Sequence, residues 1–209
     1  MKKSDKRDDI IRASLELIAE HGFHGAPMAM IAKEAGVGAG TIYRYFENKD
    51  FLINELHREL REKIIAELTE GYSDEKPIRE RFIYLVTKLL KYFVSCPLHF
   101  RFLEQYYNSP YGVSLRREKL LLKSDDRDMF MDLFAQGTAC QVMKDLPLPV
   151  QAALAFGPLV FLARDHNLGL LELNDELIAK SVEACWDGIR NSGTSTNSNK
   201  DTEVLHAHR

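Results

Sequence analysis

The chain has 209 residues, of which 45% are hydrophobic and 28% charged, so it can form one large or two small domains around a sizeable core. A formal net charge of −3 and a pI of about 6.2 exclude a protein that binds nucleic acid through bulk positive charge. No uncharged apolar run reaches the roughly 18 residues of a membrane span, and the three cysteines lie far apart. We therefore expect a cytoplasmic protein with reduced thiols and no membrane contact.

The N-terminal third contains a closely spaced set of predicted helices. Residues 4–21 carry an apolar stripe at helical spacing, and Gly22 ends this first helix. In Met28–Ala35 the apolar residues recur at i, i+3, i+4 and i+7, which predicts a second helix. Gly36 follows at once, where a helix end favours a left-handed backbone. A third helix is predicted over Ala39–Phe46.

Two short helices around a glycine turn are typical of a helix-turn-helix, which we place at about 27–46. The third helix directs Ile42 inward. Its outward face carries Thr41, Tyr43, Arg44 and Tyr45, a mixture of hydroxyls, rings and a guanidinium that suits phosphates and base edges.

A long fourth helix is predicted from Lys49 to about Gly71, and it leads out of the small domain. Its predicted inward side includes Phe51 and Leu52, whereas His57 falls on the side expected to face solvent. The polar segment 71–77 is the clearest break in the chain.

The rest of the chain is predicted to be helical, and no stretch has the period-two alternation of a strand, so the fold class is all-α. Two late helices, 149–166 and 175–190, are rich in apolar residues, and Gly157–Pro158 predicts a kink in the first of them. The chain is therefore divided into a DNA-binding domain over 4–64, a second helical domain over 65–190 and a polar, disordered tail over 191–209.

The segment from Phe23 to Leu52 resembles the N-terminal domain of the tetracycline-repressor (TetR/AcrR) family of bacterial transcription factors. The layout of three helices, a linking fourth helix and an all-helical second domain is also similar to that family. The matching residues are Gly22, Phe23, Ile31, Ala32, Ala35, Gly36, Val37, Gly40, Thr41, Ile42, Tyr43, Tyr45, Phe46, Lys49 and Leu52.

The resemblance implies a homodimeric, ligand-responsive repressor that binds a palindromic operator in double-stranded DNA and is released by a small, largely apolar molecule. The dimer would form through 149–166 and 175–190, and 39–46 would be the recognition helix. The residues expected to contact DNA are Gly40, Thr41, Tyr43, Arg44, Tyr45 and Lys49, the last through a phosphate at the start of the fourth helix.

The second domain contains many aromatic residues, most of which are expected to pack in its core. A family member should also enclose an apolar pocket with a few polar groups. Tyr106 and Tyr107 are the leading candidates, because each brings a hydroxyl with its ring. The full set of candidate ligand-binding residues is Phe93, Phe100, Leu103, Tyr106, Tyr107, Phe130 and Phe134.

Two alternatives stay open. One is a DNA-binding protein without ligand control, which a second domain without a cavity would favour. The other is a helical enzyme, against which the sequence shows no nucleophile–base pair, paired carboxylates, phosphate loop or metal spacing. We therefore assign no catalytic residue, no metal site and no cofactor.

Overall fold

The computed structural model describes residues 5–121 and 129–192, with only the backbone described for 118–121. Within these ranges the chain forms ten α-helices, and its only β-pairing there is an isolated bridge between Met143 and Arg190, so the all-α prediction is confirmed. Nearly all of the predicted disordered tail lies outside the described residues. The helices are α1 Lys6–Gly25, α2 Met28–Glu34, α3 Ala39–Tyr45, α4 Lys49–Thr69, α5 Ile78–Ser95, α6 Pro97–Tyr107, α7 Pro110–Leu121, α8 Met129–Ala139, α9 Leu148–Asn167 and α10 Asp175–Ile189.

The turn between α2 and α3 depends on Gly36, whose φ of +64° lies in the left-handed region. There the Val37 N–H donates to the Ala32 carbonyl across 2.9 Å and closes the end of α2. After the turn, Ile42 and Phe46 are almost completely buried and hold α3 against the rest of the small domain. The predicted helix-turn-helix is therefore present, and buried side chains set the angle of its second helix.

We expect Gly36→Ala and Gly40→Ala to change stability in opposite directions. A Cβ at either position would have no atom within 4 Å, so backbone conformation alone separates the two variants. At Gly36 the left-handed backbone costs an alanine about 1–2 kcal/mol. Inside α3, alanine at position 40 gains up to about 1 kcal/mol over glycine. Denaturant unfolding of the two variants checks this, and equal shifts in the same direction would contradict the backbone explanation.

The first hydrophobic core extends beyond the predicted domain boundary. Side chains of α1, α2, α3 and the first half of α4 form most of it. Three side chains of α6, Phe102, Leu103 and Tyr106, also pack in this core, and Phe102 is fully buried. The α6 helix thus contributes to both cores, because its Phe100 packs in the second one. A contact between segments so distant in sequence leaves no local signal.

Two predictions for α4 were wrong. Phe51 is 46% exposed and faces away from the buried stripe that begins at Leu52. His57 was expected at the surface, yet it is only 6% exposed. The physical reason is α6, which covers the His57 side of α4 and stacks the Tyr106 ring on the imidazole at a centroid distance of 3.9 Å.

The second core lies between α5, α8, α9 and α10, with the Phe82 and Trp186 rings 5.4 Å apart at its centre. The predicted kink at Gly157–Pro158 does not interrupt α9, which runs continuously from residue 148 to 167. None of the helices in the described ranges combines the length and the hydropathy that crossing a membrane requires.

Candidate functional site

The outer face of α3 is open to solvent. Tyr43 is 54% and Tyr45 40% exposed, Arg44 is exposed between them, and Thr41 is half-buried. The Arg44 guanidinium has no carboxylate partner among the residues that the structure describes. Two large aromatic side chains held in water beside an unneutralised cation form a surface suited to phosphate and base edges. The structure therefore brings four of the six residues predicted to contact DNA onto one face.

Gly40 and Lys49 stand on either side of this face. Gly40 is exposed in the first turn of α3, where an added Cβ would meet nothing, so another backbone can approach closely. Lys49 begins α4, and its ammonium group donates a hydrogen bond to the Phe23 carbonyl near the end of α1. Partial burial lowers the pKa of Lys49, while the adjacent Asp50 opposes that shift. Lys49 is therefore half-buried, and one of its three N–H donors is already engaged in a hydrogen bond inside the protein.

A second cation, Arg7 in the first turn of α1, is also held by contacts inside the protein. Arg7 pairs with Glu55 at 3.1 Å and with Glu59 at 2.5 Å, and its guanidinium lies 5.7 Å from the centre of the Phe46 ring. The hydrogen bond to Glu59 is the main cause of a raised Arg7 pKa. Arg7 thus fixes α1 against α4 rather than extending toward a ligand. Of the basic residues before it, Lys6 is exposed at the start of α1, and Lys2 and Lys3 lie outside the described residues.

The end of α6 connects the small domain with a cleft in the second domain. Tyr106 stacks on His57, and its hydroxyl donates to the Asn54 side-chain oxygen on α4 across 3.0 Å. Burial raises the pKa of Tyr106 above its usual alkaline value. The next residue, Tyr107, has its hydroxyl 3.4 Å from the imidazole Nε2 of His57 and also lines the cleft.

This cleft has a volume of about 490 Å³ and lies between the end of α6 and helices α7, α8 and α9. Phe130, Phe134 and Phe156 form an aromatic wall, with the Phe130 and Phe156 rings in edge-to-face contact at 4.8 Å. Among the described residues, the lining is formed by Tyr107, Gly112, Leu115, Arg116, Phe130, Met131, Phe134, Leu148, Pro149, Ala152, Ala153, Phe156, Gly157 and Val160.

Three of the seven predicted ligand-binding residues, Tyr107, Phe130 and Phe134, line this cleft. The other four pack elsewhere, with Leu103 and Tyr106 in the first core, Phe100 in the second and Phe93 against both. Sequence reasoning missed Arg116, Phe156 and the small residues of α9. An Arg beside Arg117 in a charged segment looks like ordinary surface, so only the tertiary structure separates the two.

A helix-turn-helix whose second helix exposes aromatic rings and a guanidinium is typical of a DNA-binding transcriptional regulator, because the second helix is the one that enters the major groove. The model of bacterial regulatory proteins, tetR family, matches residues 10–56. A model of the tetracyclin repressor-like C-terminal domain matches residues 77–190, more than half of the chain. The chain therefore belongs to the tetR family, and the resemblance stated from the sequence is confirmed.

Individual relatives agree with this assignment. A solved TetR-family transcriptional regulator from Vibrio parahaemolyticus is 34% identical, with a TM-score of 0.71, over 89% of this chain and 99% of its own. An uncharacterized HTH-type transcriptional regulator of Haemophilus influenzae is 26% identical over 188 residues, which are 90% of this chain and 97% of the relative. The fatty acid metabolism regulator protein of Bacillus subtilis is 36% identical over 86 residues, 41% of this chain and 44% of its own. Because the family and these relatives are regulators, the prediction that the protein is not an enzyme is confirmed.

Proposed function

We propose that the protein is a homodimeric repressor whose affinity for a palindromic operator is controlled by a small, largely apolar molecule. Each subunit places α3 in the major groove of one half-site, and the two half-sites lie about one turn of DNA apart. The single observation that carries this proposal is the solvent-exposed α3 face of Tyr43, Arg44 and Tyr45 without a protein partner for Arg44 among the described residues.

The DNA contacts divide by chemistry. The side chains of Arg44, Tyr43 and Tyr45 are long enough to reach base edges and phosphates. Gly40 and Thr41 are small and allow close approach of the DNA backbone. Lys49 contributes positive charge near a phosphate with the protons that its bond to Phe23 leaves free. Its partial burial limits its reach, so we assign it a weaker contact than Arg44.

The dimer forms through one face of α9 and the outer side of α10. Val150, Leu154 and Phe161 on α9 and Leu168 directly after it are 40–63% exposed, and they recur every four or seven residues, which places them on one side of the helix. The apolar residues of α10 lie inside their own subunit, so α10 contributes small outer side chains such as Ala179 and Ala184 instead. We infer that a second copy of the chain covers this apolar face, because a two-fold symmetric dimer brings the same face of both subunits together and matches the symmetry of a palindromic operator.

Ligand control follows from contacts at the end of α6. A molecule in the cleft touches Tyr107, and the adjacent Tyr106 holds α4 through His57 and Asn54. Movement of α6 is thereby passed to α4 and to the α3 helix that Phe46 attaches to the same core. Only a ligand with different affinity for the two arrangements can change DNA binding in this way. The cleft supports this function over DNA binding without ligand control.

Selection of bound DNA from a random pool by the purified full chain tests the proposal. We expect an inverted repeat whose halves are about 10 base pairs apart, centre to centre, and an affinity that falls steeply as salt rises. A sequence found in this way is then sought beside genes of the host. Enrichment of single half-sites only would contradict the dimeric repressor, and failure to enrich any sequence would contradict operator binding altogether.

A further inference from the structure

The second-domain cleft has a lining whose chemistry is unevenly distributed. Of the fourteen described residues that line it, Arg116 alone carries a charge. The Phe130 and Phe134 rings lie on α8, and α9 contributes Phe156 together with the small residues Ala152, Ala153 and Gly157. Such a lining favours a ligand with a mainly apolar body and provides one position, at Arg116, where a negatively charged group of that ligand can be bound.

The α6–α7 turn and α9 differ in the space beside them. At Gly112 an added Cβ would lie 2.5 Å from the Tyr106 carbonyl oxygen, so α7 packs directly on the end of α6 there. At Gly157 an added Cβ would meet nothing within 4 Å, so no described atom of the same subunit fills the space beside this part of α9. An occupant can therefore extend along the row of small residues on α9, which suits a slender molecule.

Arg116 lies on α7, where its side chain is exposed at the edge of the cleft. In the part of the chain that the structure describes, no carboxylate pairs with this guanidinium. Arg117 is equally exposed but does not line the cleft. The structure thus places one guanidinium at the cleft without a carboxylate partner among the described residues, and it provides an adjacent arginine for comparison.

We propose that the cleft binds an aliphatic amphiphile whose chain lies between the Phe130 and Phe134 rings of α8 and the side of α9 that carries Phe156 and Gly157, and whose anionic head group is bound by Arg116. The planar guanidinium suits a carboxylate or a phosphate, because either can accept two parallel hydrogen bonds. This inference concerns the ligand of the function proposed above and rests on it for its regulatory meaning. The binding chemistry itself can be measured without DNA.

Calorimetric titration of the full-length protein tests the head group. Dodecanoate is compared with dodecanol and dodecylammonium, each below its critical micelle concentration. We expect dodecanoate to bind at least tenfold more tightly than dodecanol, with dodecylammonium weakest. Dodecyl phosphate and dodecanoyl-coenzyme A distinguish a carboxylate head from a phosphate head. Shortening the chain should weaken binding by up to about fourfold for each methylene removed.

The variants Arg116→Ala and Arg117→Ala form a matched pair for the same titration. Both residues are exposed, so neither substitution should unfold the protein. Arg116→Ala should weaken dodecanoate about tenfold and leave dodecanol unchanged, whereas Arg117→Ala should affect neither. Equal affinity for dodecanol and dodecanoate, equal losses in the two variants, or no binding of any of these probes would overturn the proposed ligand class.

Measurements of operator binding test the proposed ligand site separately from the proposed repressor function. Without ligand, Arg116→Ala should bind the selected operator like the wild type, because Arg116 lies on α7 in the second domain. Dodecanoate should then release the wild type at about tenfold lower concentration than the variant. Release at equal concentrations would overturn the proposed site while leaving operator binding intact. A protein that binds dodecanoate through Arg116 but binds no DNA would instead refute the proposed repressor.

Discussion

Arg44→Ala should abolish specific operator binding while the protein stays folded and keeps its oligomeric state. Arg44 is exposed between Tyr43 and Tyr45 and has no carboxylate partner in the described chain, so its removal leaves no buried group unsatisfied. A bidentate contact between arginine and a base is worth about 1–3 kcal/mol of discrimination. A dimer loses that contact twice, about 2–6 kcal/mol in total, which corresponds to at least a thirtyfold loss of affinity. Titration of the selected operator measures it.

Two variants make the Arg44 result specific. Arg44→Lys keeps the charge but loses the planar pair of donors, so we expect non-specific, salt-sensitive binding to persist while preference for the operator falls. Arg101→Ala removes another exposed arginine, on α6, and should bind like the wild type. Wild-type affinity of Arg44→Ala would show that α3 presents a different face to DNA.

Leu154→Arg should convert the protein into a monomer. Leu154 is 40% exposed on the apolar face of α9, where the proposed two-fold axis brings the face of one subunit against that of its partner. Each dimer would then enclose two unpaired guanidinium groups, and an uncompensated buried charge costs about 3–5 kcal/mol. We expect the dimer dissociation constant to rise by at least 100-fold and operator affinity to fall with it. Analytical ultracentrifugation over a range of concentrations measures the first effect.

Val113→Arg provides the matched control for the α9 surface. Val113 is 48% exposed on α7, lies outside the α9 face and does not line the cleft, so the same substitution there should leave the dimer unchanged. Circular dichroism of both variants should match that of the wild type, because neither side chain belongs to a core. A dimeric Leu154→Arg protein would rule out the α9 face as the subunit interface.

An additional ion pair ties the α9 face to α6. The Arg164 guanidinium donates to the Glu104 carboxylate on α6, with its Nε 2.6 Å from the oxygen, and also lies 4.8 Å from the centre of the exposed Phe161 ring. Glu104 is adjacent to Leu103, which packs in the first core. The proposed interface on α9 is therefore connected through Glu104 and its neighbour Leu103 to the first core, which holds α3. This arrangement makes α6 the element through which the cleft, the subunit interface and the DNA-binding domain can influence one another.

The sequence predicted the helix-turn-helix well because its determinants are local. Apolar spacing in 28–35, the glycine at position 36 and the inward Ile42 act within one or two helical turns, and the structure contains each of them as expected. The exposed face of Tyr43, Arg44 and Tyr45 follows from the same periodicity, because residues on the opposite side of a short amphipathic helix must point to solvent.

The prediction for the second domain was weaker for a physical reason. In an all-helical domain, aromatic residues that fill the core and aromatic residues that line a cleft recur at the same helical spacing. Spacing in the sequence therefore does not distinguish the two. Phe100 and Phe134 look alike in sequence, yet the first packs only in the second core and the second also faces the cleft. The same ambiguity applies to Arg116 and Arg117, which only the packing of α7 on α6 and α9 distinguishes.

The sequence by itself determined the all-α class, the position of the recognition helix and the family, since each depends on the identity and spacing of neighbouring residues. Only the tertiary structure decided that α6 completes the core of the small domain, that His57 is buried under Tyr106 and that Arg116 stands at an apolar cleft. These features join residues about 50 positions apart, and contacts over such separations arise from packing many side chains at once. The exposed face of α3 is thus encoded locally, whereas the proposed control of DNA binding depends on the whole fold.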